Sequence, residues 1–256
     1  MSTPPLPASS ASKAALPPPA TVSITAGIAT VTIDRPQRGN ALDAATVDAL
    51  ARAFEALAAN EDVHTWALRG AGPQFCTGFD FTDLDRQSDG DLLERFVRVE
   101  LMLQQFANAP ARTVAFVQGR AFGAGADLFT ACDARIVGPK ATFGFPGPRF
   151  GLVLGTRRLA LRIGPEQARR VLLEGLTLDA LEALDIGLAT QRWDGDFDAL
   201  HATLARPVAD PPTLRRLVAQ ARQSSDDEDL AAVVRSVIRP GLVARVRAYR
   251  DSIAKR

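Results

Sequence analysis

Hydrophobic and polar positions alternate from Val22 to Ile33. Val22 and Ile24, then Val31 and Ile33, are spaced by small or polar residues, which predicts two strands turning at Gly27. Asp34-Arg35-Pro36 ends the second strand, and Gly39 and Asn40 mark a loop. The period then changes. Val47, Leu50, Phe54 and Leu57 share one helical face, with Asp43 placed to cap it. A strand carrying Trp66 and Leu68 runs into a Gly/Pro turn at residues 70–73. Leu92, Phe96, Val99, Leu103 and Phe106 predict a second amphipathic helix over residues 91–106. A short apolar strand at 113–117 precedes a glycine-rich turn at 119–125, which leads into a helix ending near Cys132. A further strand lies at 135–137. Pro165 opens a helix and Gly175 stops it. Residues 178–186 predict one more helix, ended by Gly187. Beyond Trp193 no strand is expected. Leu214, Leu217 and Val218, then Leu230, Val233, Val234 and Val237, suit helices separated by Pro211, Pro212 and Pro240. The alternation of strands and helices predicts an α/β core with parallel strands, followed by a helical segment set apart from it.

Composition narrows the function classes. At 256 residues and 46% hydrophobic content the chain can bury a large core. Its 30 Lys+Arg nearly balance 29 Asp+Glu, which argues against nucleic-acid binding through net charge. Cys76 and Cys132 are the two cysteines, without a CxxC or a Cys/His cluster, so neither a disulfide framework nor a structural zinc site is expected. A reducing, cytoplasmic compartment fits best. No apolar run reaches the ~18–20 residues needed to span a bilayer. Residues 1–20 are Pro/Ala/Ser-rich with Lys13 as their one charge, and read as a disordered tail rather than a secretory signal. The expected organisation is a tail at 1–20, a core at 21–197 and a helical C-terminal oligomerisation segment at 198–256.

Two glycine turns are the candidate chemistry. One is Phe75-Cys76-Thr77-Gly78-Phe79-Asp80-Phe81. The other is Gly119-Arg120-Ala121-Phe122-Gly123-Ala124-Gly125-Ala126-Asp127. Glycine permits sharp turns and close approach of a ligand to the main chain. The first N–H groups of a helix lack internal partners. Together such turns can aim two backbone donors at one developing negative oxygen. Taken singly, each is explained by turn shape and packing. A dinucleotide fingerprint fails for want of a third glycine at the required spacing, and no Gly-Lys-Ser/Thr or G-x-S-x-G is present.

As a pair they resemble motifs of the crotonase (enoyl-CoA hydratase/isomerase) superfamily. FCTGFD is similar to its F-x-x-G-x-D, and AFGAGAD with LFTACDARIV to its A-x-G-G-G-x-E…CD-x-R-I stretch. Asp34-Arg35-Pro36 with Asn40-Ala41-Leu42, then Thr142-Phe143-Gly144, Gly155-Thr156-Arg157-Arg158-Leu159 and Gly187-Leu188, continue the likeness in order over roughly residues 22–193. The resemblance implies a spiral of repeated ββα units with a helical C-terminal segment, assembled as a homotrimer or homohexamer. It implies an acyl-CoA substrate of the kind met in fatty acid metabolism, with coenzyme A entering as part of the thioester and no permanently bound cofactor or metal. The thioester oxygen would lie between the Phe79 and Ala124 amides, with Asp127 as the acid/base. Gly78 and Gly123 would shape the cofactor side, with Arg35, Arg38 and Ala41 at the adenine and phosphate end.

Two departures matter. Asp127 stands where hydratases of the family carry a glutamate, and is shorter by one methylene, about 1.5 Å. Gly147 occupies the place of the second glutamate. The expected chemistry is therefore an enoyl-CoA hydratase or isomerase working with one carboxylate. A decarboxylase or hydrolase of another acyl-CoA, and a non-catalytic CoA-binding scaffold, remain as alternatives. Asp80, Asp83 and Asp133 read as capping or structural, His64 and His201 as surface residues, and Cys76 as a buried inert thiol. Arg250, Lys255 and Arg256 are placed to reach a neighbouring copy's cofactor.

Overall fold

The computed structural model describes residues 18–204, 209–221 and 225–255. Strands β1 (Ala20–Thr25) and β2 (Ile28–Ile33) form an antiparallel hairpin. Ala26 and Gly27 at its tip both take positive φ, 50° and 75°, the backbone that matches a tight hairpin to strand twist. Helix α1 (Ala44–Ala59) starts at Asp43, whose side chain accepts from the Thr46 amide. It carries the chain to β3 (Thr65–Gly70), and α2 (Asp89–Ala107) carries it on to β4 (Arg112–Val117). The short β5 (Arg120–Phe122) feeds α3 (Ala124–Ala131), which returns to β6 (Ala134–Val137). Then come β7 (Thr142–Gly144), α4 (Thr156–Ile163), α5 (Pro165–Glu174), β8 (Thr177–Asp179), α6 (Ala180–Asp185) and β9 (Gln191–Arg192). Four further helices follow: α7 (Phe197–Leu204), α8 (Pro211–Ala221), α9 (Asp226–Val237) and α10 (Leu242–Ala254).

The main sheet has the order β1-β2-β3-β4-β6-β9, parallel after the hairpin. A small sheet, β5-β7-β8, lies beside it. This is the α/β core with parallel strands expected from the sequence pattern. The largest apolar cluster lies between sheet and helices, where the ring of Phe54 stacks on Trp66 at 5.8 Å and meets Phe106 at 4.8 Å.

Four expectations need correction. The helix expected over 178–186 begins later, because Leu178 pairs with Phe143 in the small sheet and Asp179 caps α6 by accepting from Leu181 and Glu182. The tail expected over 1–20 lies outside the described residues up to 17, and Ala20 already belongs to β1. The C-terminal helices do not stand apart. Val233, Val237, Leu242 and Val246 are buried together with Phe96 of α2 and Leu152. Their polar faces hid this, since half an amphipathic surface looks the same whether it meets its own core or a partner. Finally, His64 is 6% exposed, with ring nitrogens 3.2 Å from the Ala26 carbonyl and 3.0 Å from Thr65 Oγ1. The hairpin tip folds over it: a Cβ on Gly27 would lie 2.5 Å from the ring.

Candidate active site

The two glycine turns are held against each other by main-chain bonds. After β3, Cys76 bridges β5: its N–H donates to the Arg120 carbonyl (3.0 Å) and its carbonyl accepts from Phe122 (2.9 Å). Leu42 then bridges Phe79 by donating to the Gly78 carbonyl (2.7 Å) and accepting from the Asp80 amide (3.0 Å). Along extended chain successive amides point to opposite sides, so the Phe79 N–H faces away from Leu42. Gly123 donates to the Gly144 carbonyl (2.8 Å) and precedes Ala124, the first residue of α3. The main-chain bonds that join the turns to each other and to their neighbours thus use the amides of Leu42, Phe75, Cys76, Asp80, Phe122 and Gly123, among others, and not those of Phe79 and Ala124. Glycine is obligatory at two of the contacts. A Cβ on Gly78, whose φ is 89°, would lie 2.6 Å from the Phe122 carbonyl oxygen, and one on Gly125 would lie 2.2 Å from that of Cys76.

Both turns open on one cavity of about 520 Å3, and Asp127 lies in its wall. Asp127 sits in the first turn of α3, is 4% exposed, and its Oδ1 has no hydrogen-bond partner among the described residues. Gly155 presses on this oxygen: at its φ of 64° a Cβ would come within 2.0 Å of Oδ1. Burial pushes the Asp127 carboxyl well above the usual carboxylate range; the charge of Arg158 opposes the rise and that of Glu100 adds to it. No other carboxylate among the described residues lines the cavity. Gly147 does line it, at the start of a 3-10 turn (Gly147–Phe150), and a Cβ there would meet the Leu152 carbonyl oxygen at 2.9 Å. Local packing therefore leaves little room for a carboxylate side chain at this position.

Behind Asp127 lies an ionic cluster that no motif in the sequence marks. Arg158 donates to Glu100 (2.6 Å) and Asp229 (3.1 Å), and Arg157 also donates to Asp229 (2.7 Å). Glu100 is fully buried and takes a further bond from Gln104 (3.0 Å). Burial raises the Glu100 carboxyl despite its bond from Arg158. Burial works against the Arg158 charge, yet its bonds to Glu100 and the attraction of Asp229 hold the guanidinium firmly protonated. Glu100 and Asp229 lie on helices distant in sequence, and nothing in the spacing of either marks the pair.

Arg35, Arg38 and Ala41 are not among the residues lining the Asp127 cavity. Arg35 donates to the Ala41 carbonyl and pairs with Asp43 (3.0 Å) and Asp80 (3.1 Å). Arg38 donates to Thr82 Oγ1 and is about half exposed. Both arginines line a separate cleft of about 340 Å3. Asp80 is buried, which opposes its charge, but bonds from Thr82 and Arg35 hold its carboxyl below the usual range. Asp133 accepts from the Thr113 amide at 2.8 Å, in keeping with a structural role. Cys76 is buried and its thiol is pushed up to about 12 by desolvation, so it stays protonated at neutral pH. Arg250, expected to serve a neighbouring copy, lines the cavity of its own chain together with Tyr249 and Ile253 of α10. Arg120 also lies in the wall; it sits inside the second glycine turn, where its position was the available signal.

The family model for enoyl-CoA hydratase/isomerase matches residues 23–206. A candidate enoyl-CoA hydratase of Mycobacterium tuberculosis is 33% identical over 196 residues, 75% of this chain and 77% of that protein. A solved candidate enoyl-CoA hydratase/isomerase from Bordetella parapertussis is 42% identical, with a TM-score of 0.87 over 90% of this chain and 98% of its own. An enoyl-CoA hydratase structure from Bacillus halodurans, at 23% identity, shares the fold with a TM-score of 0.80 over 90% of this chain and 99% of its own. The paired turns, the buried Asp127 carboxyl beside them and these likenesses agree: the chain belongs to the enoyl-CoA hydratase/isomerase family, within the crotonase superfamily.

Proposed function

We propose that the protein is an acyl-CoA enzyme that stabilises a thioester enolate and moves a proton with one carboxyl. The Phe79 and Ala124 amides would donate to the thioester oxygen, whose charge grows as the enolate forms. Asp127 would act at the adjacent carbon. The observation that carries this reading is the Asp127 carboxyl: buried in the cavity, with an unpartnered oxygen and a raised proton affinity. A raised pKa makes the carboxylate a stronger base for a weakly acidic C–H and the acid a donor that persists nearer neutral pH. One carboxyl can remove a proton beside the carbonyl and return it further along the conjugated chain, which is an isomerisation. Hydration asks the same group to activate water as well, and Gly147 supplies no help. We place Arg38, the more exposed of the two predicted arginines, toward the phosphates of coenzyme A, with Arg35 holding the loop, and we keep a homotrimer or homohexamer as the expected assembly.

The test follows the conjugated thioester absorbance with crotonyl-CoA and with a 3-enoyl-CoA, for the wild type and Asp127→Asn. Loss with crotonyl-CoA marks hydration, and gain with the 3-enoyl-CoA marks isomerisation. Either should fall at least 100-fold in the variant, given typical contributions of general acid–base catalysis of about 10²–10⁴. No turnover of either substrate, with coenzyme A still bound in calorimetry, would favour the binding scaffold.

A further inference from the structure

The wall of the Asp127 cavity contains a closed loop of aromatic rings. Phe79 meets Phe81 at 5.5 Å between centroids, and Phe81 meets Tyr249 at 6.1 Å. Tyr249 meets Phe150 at 5.1 Å, Phe150 meets Phe96 at 6.2 Å, and Phe96 closes the loop on Phe79 at 4.8 Å. All five rings line the cavity. They come from four separate stretches of chain: the first glycine turn, α2, the 3-10 turn (Gly147–Phe150) and α10. Phe79 and Phe81 stand two residues apart, and their contact shows that both rings lie on one side of the chain. Phe79 is also braced by Arg95, whose guanidinium lies 3.9 Å from the ring centroid. The chain has 13 Phe and a single Tyr. Four of those Phe and the one Tyr are gathered here, a concentration that a wall needing only apolar area does not require.

From this wall we infer that the protein selects acyl groups ending in an aromatic ring over straight alkyl chains. The inference rests on the acyl-thioester reading and names its substrate class. Phe79 links the two: its amide is placed at the thioester oxygen and its ring begins the aromatic wall, so an acyl group leaving the carbonyl runs directly along the rings. An alkyl chain gains there only from the apolar area it covers. An aryl group gains in addition from edge and offset-face contacts at centroid distances of 4.5–7 Å. Two such contacts correspond to a preference on the order of tenfold. The rings are mutually packed, with Phe96 and Phe150 buried, so they are set before the ligand arrives and little ordering is needed on binding.

The experiment measures binding of coenzyme A, nonanoyl-CoA and 3-phenylpropanoyl-CoA to the full chain by calorimetry. The two acyl groups have equal carbon counts and lack the double bond, so neither hydration nor isomerisation intervenes, and the nonanoyl chain offers at least as much apolar area. The expected result is 3-phenylpropanoyl-CoA binding about tenfold tighter, with the ratio falling to near one in Tyr249→Leu and in Phe81→Leu, each checked for an unchanged circular dichroism spectrum. Phe81→Leu, at a half-buried ring outside α10, keeps the test open should the Tyr249 variant fail to fold. Equal or tighter binding of nonanoyl-CoA overturns the aryl preference and leaves the thioester reading intact. Absence of binding by all three, coenzyme A included, overturns the thioester reading and the preference with it.

Discussion

At Asp127 the fold puts a carboxyl where ionisation is costly. Burial keeps it protonated over a pH range in which the unfolded chain has already released the proton. In that window the native state binds more protons than the unfolded state, so stability falls as pH rises above the ordinary carboxylate value of about 3.9 and levels off past the raised one. Asp127→Asn removes this dependence. Its Tm should exceed that of the wild type at neutral pH and approach it near pH ~4; an equal offset at both pH values would contradict a raised pKa. As a base, Asp127 should give a kcat/KM that rises with pH through that same value. Gly155 controls where this carboxyl sits. Gly155→Ala places a methyl on Asp127 Oδ1 at a left-handed backbone position and should cost about 1–3 kcal/mol in urea unfolding, with activity lost as the carboxyl is displaced.

Among elements, α4 serves the site twice. Its N-cap is Gly155 and its first turn carries Arg158, which joins α2 through Glu100 and α9 through Asp229. One short helix thus packs against the Asp127 carboxyl and joins α2, which lines the cavity, to α9. Arg158→Met should cost about 3–5 kcal/mol, because Glu100 then remains buried without a counter-charge, while Asp229 keeps Arg157. Since the charge of Arg158 lowers the Asp127 pKa, the same change should move the pH–rate profile of any residual activity upward. A stability loss with an unmoved profile would mean that the cluster is purely structural. In the sequence this stretch stood out only through the likeness of Gly155-Thr156-Arg157-Arg158-Leu159 to the family. Its partners were illegible, because pairings of Arg158 with Glu100 and Asp229, 58 and 71 residues away, have no local pattern.

For the whole molecule, α10 folds back onto the cavity of its own chain. The Asp89 carboxylate at the start of α2 accepts from the amides of Gly241 (2.8 Å), Leu242 (3.1 Å) and Val243 (2.7 Å), tying down the N-terminus of α10. Arg247 and Arg250 pair with Asp85 at 2.8 and 2.9 Å. Asp89→Ala should raise hydrogen exchange across α10 and weaken acyl-CoA binding more than binding of coenzyme A alone. Unchanged exchange would show that apolar packing of Leu242 and Val246 anchors the helix by itself.

Local pattern alone determined the elements that depend on it: the hairpin at Gly27, the Asp43 cap of α1, the amphipathic faces of α1 and α2, and the two glycine turns with Asp127 beside them. Those features arise from backbone freedom and periodicity within a few residues, which any reading of the chain contains. Tertiary structure decided the rest. It brought Gly78 against Phe122 and Gly155 against Asp127, buried His64 under the hairpin and laid α10 over the cavity. It also assembled five rings from four parts of the chain. Each of these is a contact between segments far apart in sequence, whose energy exists only once the chain is folded, so no spacing along the chain encodes it visibly.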